Sequence, residues 1–206
     1  GTGSYILDLI SKTPVDEIHL FDGDKFHYHN AFRSPGAPSE EDLQKDLSKV
    51  EWFKEIYSRM RRKIISHPQF ITESNTSELD SMNMVFVCID KNKPKKIIVN
   101  HLLEKKISFI DVGIGINKVN ETLTGSAQVT TCTPSYYEHA KTRILSGGNE
   151  DDEYSSNIQI ADINALNAVM AVIKWKKMCG FYDHLENEHY STYSIGCNEM
   201  VNEDIG

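Results

Sequence analysis

The stretch that decides the fold is Ile18-His-Leu-Phe-Asp-Gly-Asp24, followed by Asn30-Ala-Phe-Arg33. An apolar run ends in two acids, and an amide and a guanidinium follow shortly after. Ahead of it stands Gly1-Thr-Gly-Ser4, which opens a helical segment over residues 5–12 that stops at Thr13-Pro14. Gly-rich turn, helix, strand (residues 17–22) and terminal acid make half of a nucleotide-binding βαβ unit. Asn30 and Arg33 add more than that unit needs. They place an amide and a cationic fork near the phosphates, which a redox cofactor site does not require.

Working outward, strands continue to alternate with helices. Residues 34–40 are rich in Pro, Gly and Ser and form a loop, and Ser39 caps the helix that follows. Val50, Phe53, Ile56, Tyr57, Met60 and Ile64 recur at helical spacing and predict one amphipathic helix over residues 49–65. A short strand is expected at 70–73. A buried strand is expected at 84–89 from its unbroken apolar run, then a helix at 95–105 and a strand at 107–112. Residues 125–131 give a further strand, and 161–179 a long apolar helix stopped by Gly180. Val169, Val172 and Ile173 on that helix face a core or a dimer interface. The fold class is therefore α/β, a Rossmann-like doubly wound and mostly parallel sheet. Its main domain spans residues 1–180, with 181–206 as a poorly defined tail or closing segment.

Composition narrows the function classes. The chain of 206 residues carries 30 acidic and 22 basic side chains, a net charge of −8, with Lys and Arg scattered. Nucleic acid would want a basic face, so it is not an expected partner. The densest basic run, residues 59–63, reads as a solvated helix end. No apolar run is long enough to span a membrane. The four cysteines are irregularly spaced and no leader is visible, which suggests a reducing, cytoplasmic setting. His27 and His29 flank Tyr28, but no third ligand accompanies them.

The order of these blocks resembles the ThiF/MoeB/ubiquitin-activating superfamily, over about residues 1–180. The family run is a strand, D-x-D, N-x-x-R and a Lys opening a helix; here these are Asp22-Gly-Asp24, Asn30, Arg33 and Lys49. A second block is Met84-Val-Phe-Val-Cys-Ile-Asp90, and the strands at 107–113 and 125–131 and the helix at 161–173 follow in family order. The resemblance implies an ATP-dependent adenylyltransferase that activates the C-terminal carboxylate of a ubiquitin-like β-grasp protein or a peptide. It implies catalytic roles for Arg33, Lys49 and Asp90. Asp22 would hold the ribose, with Asp24 assisting. Gly1, Gly3, Asn30, Arg33 and Lys49 would hold phosphates, and Asp90 would hold Mg²⁺ directly or through water. A homodimer or heterodimer is also implied, and in relatives a crossover loop near residues 146–153 embraces the partner's tail. A plain surface loop fits that acidic, Gly-rich stretch equally well.

The sequence departs from the family in three places. The first strand and the early glycines of the phosphate loop are missing, so Gly1 to Ser4 is either the end of that loop or a cloning scar. Of the cysteines, Cys88 reads as core, Cys179 as structural and Cys197 as a loop residue, which leaves Cys132 as the possible thioester nucleophile. The zinc-binding C-x-x-C pairs of many relatives are absent. The family's Arg after the Asp90 block is replaced by Lys93-Pro-Lys-Lys96, which keeps charge and loses the fork. Two rival functions remain open: an NAD-dependent Rossmann oxidoreductase with Asp22 reading the ribose, and a non-catalytic half of a heterodimer.

Overall fold

The structure is a computed structural model and describes residues 1–146 and 158–206. The stretch at 146–153, beyond Ser146 itself, lies outside the described residues. In chain order the elements are α1 (Thr2–Ile10), β1 (Ile18–Phe21), α2 (Tyr28–Ala31), α3 (Glu40–Gln44), α4 (Lys49–Tyr57), β2 (Ile64–His67), β3 (Met84–Val87), α5 (Asn92–Lys105), β4 (Ser108–Val119), β5 (Thr122–Cys132), α6 (Ala161–Met178), β6 (Glu188–Ser194) and β7 (Glu199–Ile205). A 3-10 turn at Thr76–Leu79 and a π-helical turn at Lys141–Leu145 complete the regular structure.

Two sheets form. β1 pairs with β2 in parallel, and β3 pairs with β4 in parallel. From β4 the second sheet continues antiparallel through β5, β6 and β7. β1 and β3 are not hydrogen-bonded to each other, yet Ile18 of β1 and Met84 and Phe86 of β3 pack against one core cluster. The break falls where a doubly wound sheet would place a central strand. The architecture is the expected Rossmann-like α/β class. Its parallel pairs lie beside the N-terminal helices, and its antiparallel half is built from the C-terminal strands.

Several local expectations change. The helix at 49–65 ends at Tyr57, and Ile64 opens β2, paired with Ile18. Helical spacing carried the reading too far because Ile64 is buried as a strand residue, while Met60 is exposed and Lys63 turns the chain at φ 59°. No strand forms at 70–73, where Phe70 is exposed and Asn75 closes a turn onto the Phe70 carbonyl. The strand at 107–112 extends into a long hairpin, Val119 facing Thr122 across a two-residue turn with Asn120 at φ 54°. Gly125 is required there: its φ is 155°, and a Cβ would sit 1.9 Å from the Gly115 carbonyl oxygen. Gly180, at φ 72°, caps α6 as expected, with Phe181 N–H bonded to the Lys176 carbonyl.

The C-terminal segment is not a loose tail. β6 and β7 join the sheet, and Arg143 fastens them by donating to Glu203 and Asp204 while stacking on Tyr190. Sequence reading missed these strands because their alternation is mostly polar, as on an open sheet face. His189 of β6 stacks on Tyr136 at 4.1 Å and bonds Thr131 Oγ1 at 3.1 Å. Burial first, then the nearby His139, Lys174 and His184, push its pKa down to about 4. A neutral, partly buried histidine stabilises the fold above its unfolded pKa of about 6.5 and loses that contribution as pH falls toward the folded value. The unfolding free energy should therefore drop between about pH 6.5 and pH 4, and His189→Gln should flatten that slope by close to one proton. Parallel slopes for the two proteins in urea titrations across this range would refute the assignment.

Candidate nucleotide site

The site is assembled at the carboxyl ends of β1 and β3, where open α/β sheets hold ligands. α1 supplies the N-terminus. Its first turn closes with Ser4, whose N–H and hydroxyl both donate to the Gly1 carbonyl. No acidic side chain occupies that turn itself, and the carboxylate that acts on its positive dipole end is Asp22, just past β1. Gly3 lets the helix sit close to the end of β3: a Cβ there would lie 3.3 Å from Cys88 Cβ.

Asp22 follows β1 directly, and its Oδ1 accepts the Asp24 N–H at 2.8 Å. Lys49 lies far off in sequence but is brought in by backbone pairing. Lys25 bridges Ser48, and the Lys49 N–H donates to the Asp24 carbonyl at 2.9 Å. Lys49 Nζ then reaches Asp22 Oδ2 at 3.3 Å and Asp24 Oδ2 at 2.6 Å. Phe26 stacking on Trp52 and edge-on to Phe53 anchors this pairing beneath the site.

Asn30 is buried and uses its Oδ1 to accept the His27 N–H, closing the short α2. Arg33 sits one turn on. Its Nε is buried without a hydrogen-bond partner among the described residues. A buried donor left unpaired is rare and costs about 1–3 kcal/mol, so it marks a place where a further group belongs. Arg33 and Lys49 both lie within electrostatic reach of Gly1, and Asp22 opposes them there. Burial, then Arg33, His27 and Lys49, also hold the His29 pKa below its usual value. α1, α2 and the start of α4 therefore converge on one spot, where the cations Arg33 and Lys49 meet the carboxylates Asp22 and Asp24.

Asp90 is exposed, three residues past β3 and just ahead of α5. Cys88, read from sequence as core, lies one residue beyond β3 and is exposed as a residue. β3 stops at Val87, so Cys88 turns toward Gly3 instead of inward. Its sulfur end is crowded all the same, and desolvation followed by Asp111 pushes the thiol up to about 12. Cys132 is fully enclosed at the end of β5, against Leu102 and Phe109, beside a hollow of about 10 Å³. Burial and Asp111 push its thiol up to about 12 as well. His139 Nε2 lies 3.8 Å from its sulfur but is bonded to the Thr131 carbonyl at 2.9 Å. This is the setting of a packed thiol, not an activated one. Cys179 ends α6 and Cys197 lies in the β6–β7 turn, both exposed.

Two groups escaped the sequence reading. Asp111 on β4 is buried and pairs with Lys95 Nζ at 2.9 Å. Burial raises the Asp111 pKa and Lys95 opposes it. Lys95 is thus committed to Asp111 and not to a phosphate. The fully buried Asn164 of α6 accepts the Thr2 hydroxyl at 2.9 Å. Nothing local announces either contact, since each joins elements far apart in the chain.

The fold and this cluster define a Rossmann-like α/β domain with a polar, charged cluster at its strand ends. The chain belongs to the ThiF family, whose profile matches residues 1–200. That span runs past the expected boundary at 180 and takes in β6. PaaA is similar in structure at a TM-score of 0.74 and 16% identity, over 100% of this chain and 70% of that one. MccB of E. coli with MccA-N7isoAsn gives 0.73 and 16%, over 100% and 62%. The same enzyme with ATP gives 0.67 and 15%, over 100% and 61%. The chain thus spans less than two thirds of these MccB chains. No curated protein matches it by sequence. Among the described residues, no helix is long and apolar enough to cross a membrane.

Proposed function

We propose that the domain is an ATP-dependent adenylyltransferase acting on the C-terminal carboxylate of a peptide or a ubiquitin-like β-grasp protein. The observation that carries this is Arg33: a buried guanidinium nitrogen without a partner among the described residues, placed with Lys49 beside the N-terminus of α1. The need to neutralise an anion attacking an anion explains such a set. A carboxylate oxygen of the substrate bonds to the α-phosphorus of ATP. The bond from that phosphorus to the bridging oxygen breaks, and pyrophosphate leaves with the electron pair. Arg33 and Lys49 stabilise the charge on the phosphate oxygens, the first turn of α1 seats them, and Asp22 holds the ribose hydroxyls.

The carboxylate of Asp90 suits Mg²⁺, which keeps most of its waters and takes few protein ligands. The ion, when bound, would neutralise the triphosphate. The structures of MccB with ATP and with MccA-N7isoAsn support this substrate pair. A dimer belongs to the same reading, and α6 offers an apolar strip for it: Val169 and Ile173 are exposed, whereas Val172 is buried.

Calorimetry of the full-length protein with ATP and Mg²⁺, against NAD, tests the assignment. Binding of ATP and not NAD is expected. Binding of NAD alone would make it an oxidoreductase, and binding of neither would leave a non-catalytic subunit.

A further inference from the structure

Phe70 is a large apolar side chain that stands 58% exposed, yet the loop that carries it is tied down on both sides. Gln69 Nε2 donates to both carboxylate oxygens of Glu78, at 2.8 and 2.9 Å. Asn75 Nδ2 donates to the Phe70 carbonyl at 3.1 Å, and its Oδ1 accepts the Thr72 N–H at 2.7 Å. Ile71, next in the chain, is buried in one core cluster with Leu79 and Val87. The ring is therefore held at the surface by a constrained segment.

It rests on the turn between the two acids. A Cβ on Gly23 would lie 2.7 Å from Phe70 Cδ2 and Cε2 and 3.0 Å from Cγ, closer than packed carbons come. The φ of Gly23 lies outside the left-handed region, so its backbone does not itself require glycine. Glycine stands between Asp22 and Asp24 because the Phe70 ring takes the place of a side chain there. One carbonyl sets the register: His67 O accepts the Gln69 N–H at 2.7 Å and the Asp22 N–H at 3.4 Å. Phe70 is thus locked to the end of β1, beside the carboxylate that would hold the ribose.

We propose that Phe70 is the stacking platform for the base of the nucleotide. This rests on the adenylation reading and adds to it a residue that lies outside every motif of the site. The base is attached at C1′, the neighbour of the hydroxyl-bearing C2′. With the ribose hydroxyls on Asp22, the base lies within a residue's width of Gly23, where the exposed ring stands. Every nucleobase offers a π-face, so such a platform contributes affinity without reading which base is bound. The phosphate contacts of Arg33 and Lys49 do not depend on it.

Titration of the full-length protein with ATP, and with inorganic tripolyphosphate as the base-free probe, separates stacking from mere support of the acid turn. In Phe70→Ala and Phe70→Leu, ATP should bind about tenfold more weakly and tripolyphosphate as in wild type. Phe70→Trp should keep its ATP affinity, and the emission of its added indole should be quenched by ATP and not by tripolyphosphate. All three should melt close to wild type, because most of the ring is exposed. Wild-type ATP affinity in Phe70→Ala, or equal weakening of both probes, would overturn the platform. Loss of both probes in Arg33→Ala would then leave the adenylation reading standing. A wild-type protein that binds neither probe would overturn both.

Discussion

Arg33→Ala should lower ATP–pyrophosphate exchange, driven by a cognate carboxylate, about 10²–10³-fold. Its melting temperature should stay the same or rise. The two parts of this expectation come from one atom. Arg33 Nε is buried and unpaired among the described residues, which carries a desolvation penalty. Removing the side chain relieves that penalty and removes the planar donor set for phosphate oxygens. Arg33→Lys should restore charge without restoring rate, because a point charge cannot reproduce the bidentate fork. Exchange at the wild-type rate in Arg33→Ala would take this residue out of the mechanism. A large drop in melting temperature would instead make it a structural group.

Asp111→Ala should destabilise the fold by about 3–5 kcal/mol, a large share of the total stability of a domain this size. Lys95 and Asp111 are both largely enclosed and lie 2.9 Å apart. Removing one partner leaves the other as a buried, uncompensated charge. The paired replacement Asp111→Leu with Lys95→Met should recover most of the loss, since two apolar groups leave no charge behind. Both cysteine thiols should also titrate lower in Asp111→Ala, because Asp111 is among the causes that push them up to about 12. Equilibrium urea unfolding of the three proteins settles the first point. A loss under about 1 kcal/mol in the single variant would show the pair to be well solvated.

Much of the candidate site was legible in sequence because its residues stand at ends of elements that local pattern defines. Asp22 and Asp24 close an apolar strand, Asp90 follows another, and Lys49 comes directly after Ser48, which caps α4 through the Glu51 N–H. Asn30 and Arg33 were found by spacing, but sequence did not reveal what Asn30 does with its Oδ1. It caps its own turn, and the site role expected for its side chain falls on the remaining amide nitrogen. Cys132 shows the limit of the method from the other side. The sequence left it as the possible thioester nucleophile, whereas β5 buries it between β4 and α5.

By itself the sequence determined the α/β class, the helix stop at Gly180 and the acids at the strand ends. Each of these is fixed by interactions within a few residues: periodic apolar side chains, a left-handed cap, a turn. Only the tertiary structure decided that β6 and β7 complete the sheet, that Lys95 is neutralised by Asp111, and that Arg33 and Asn164 hold buried donors without partners among the described residues. Those are properties of enclosure and of contacts across long loops. Burial sets their energies, and burial depends on which distant segments pack together.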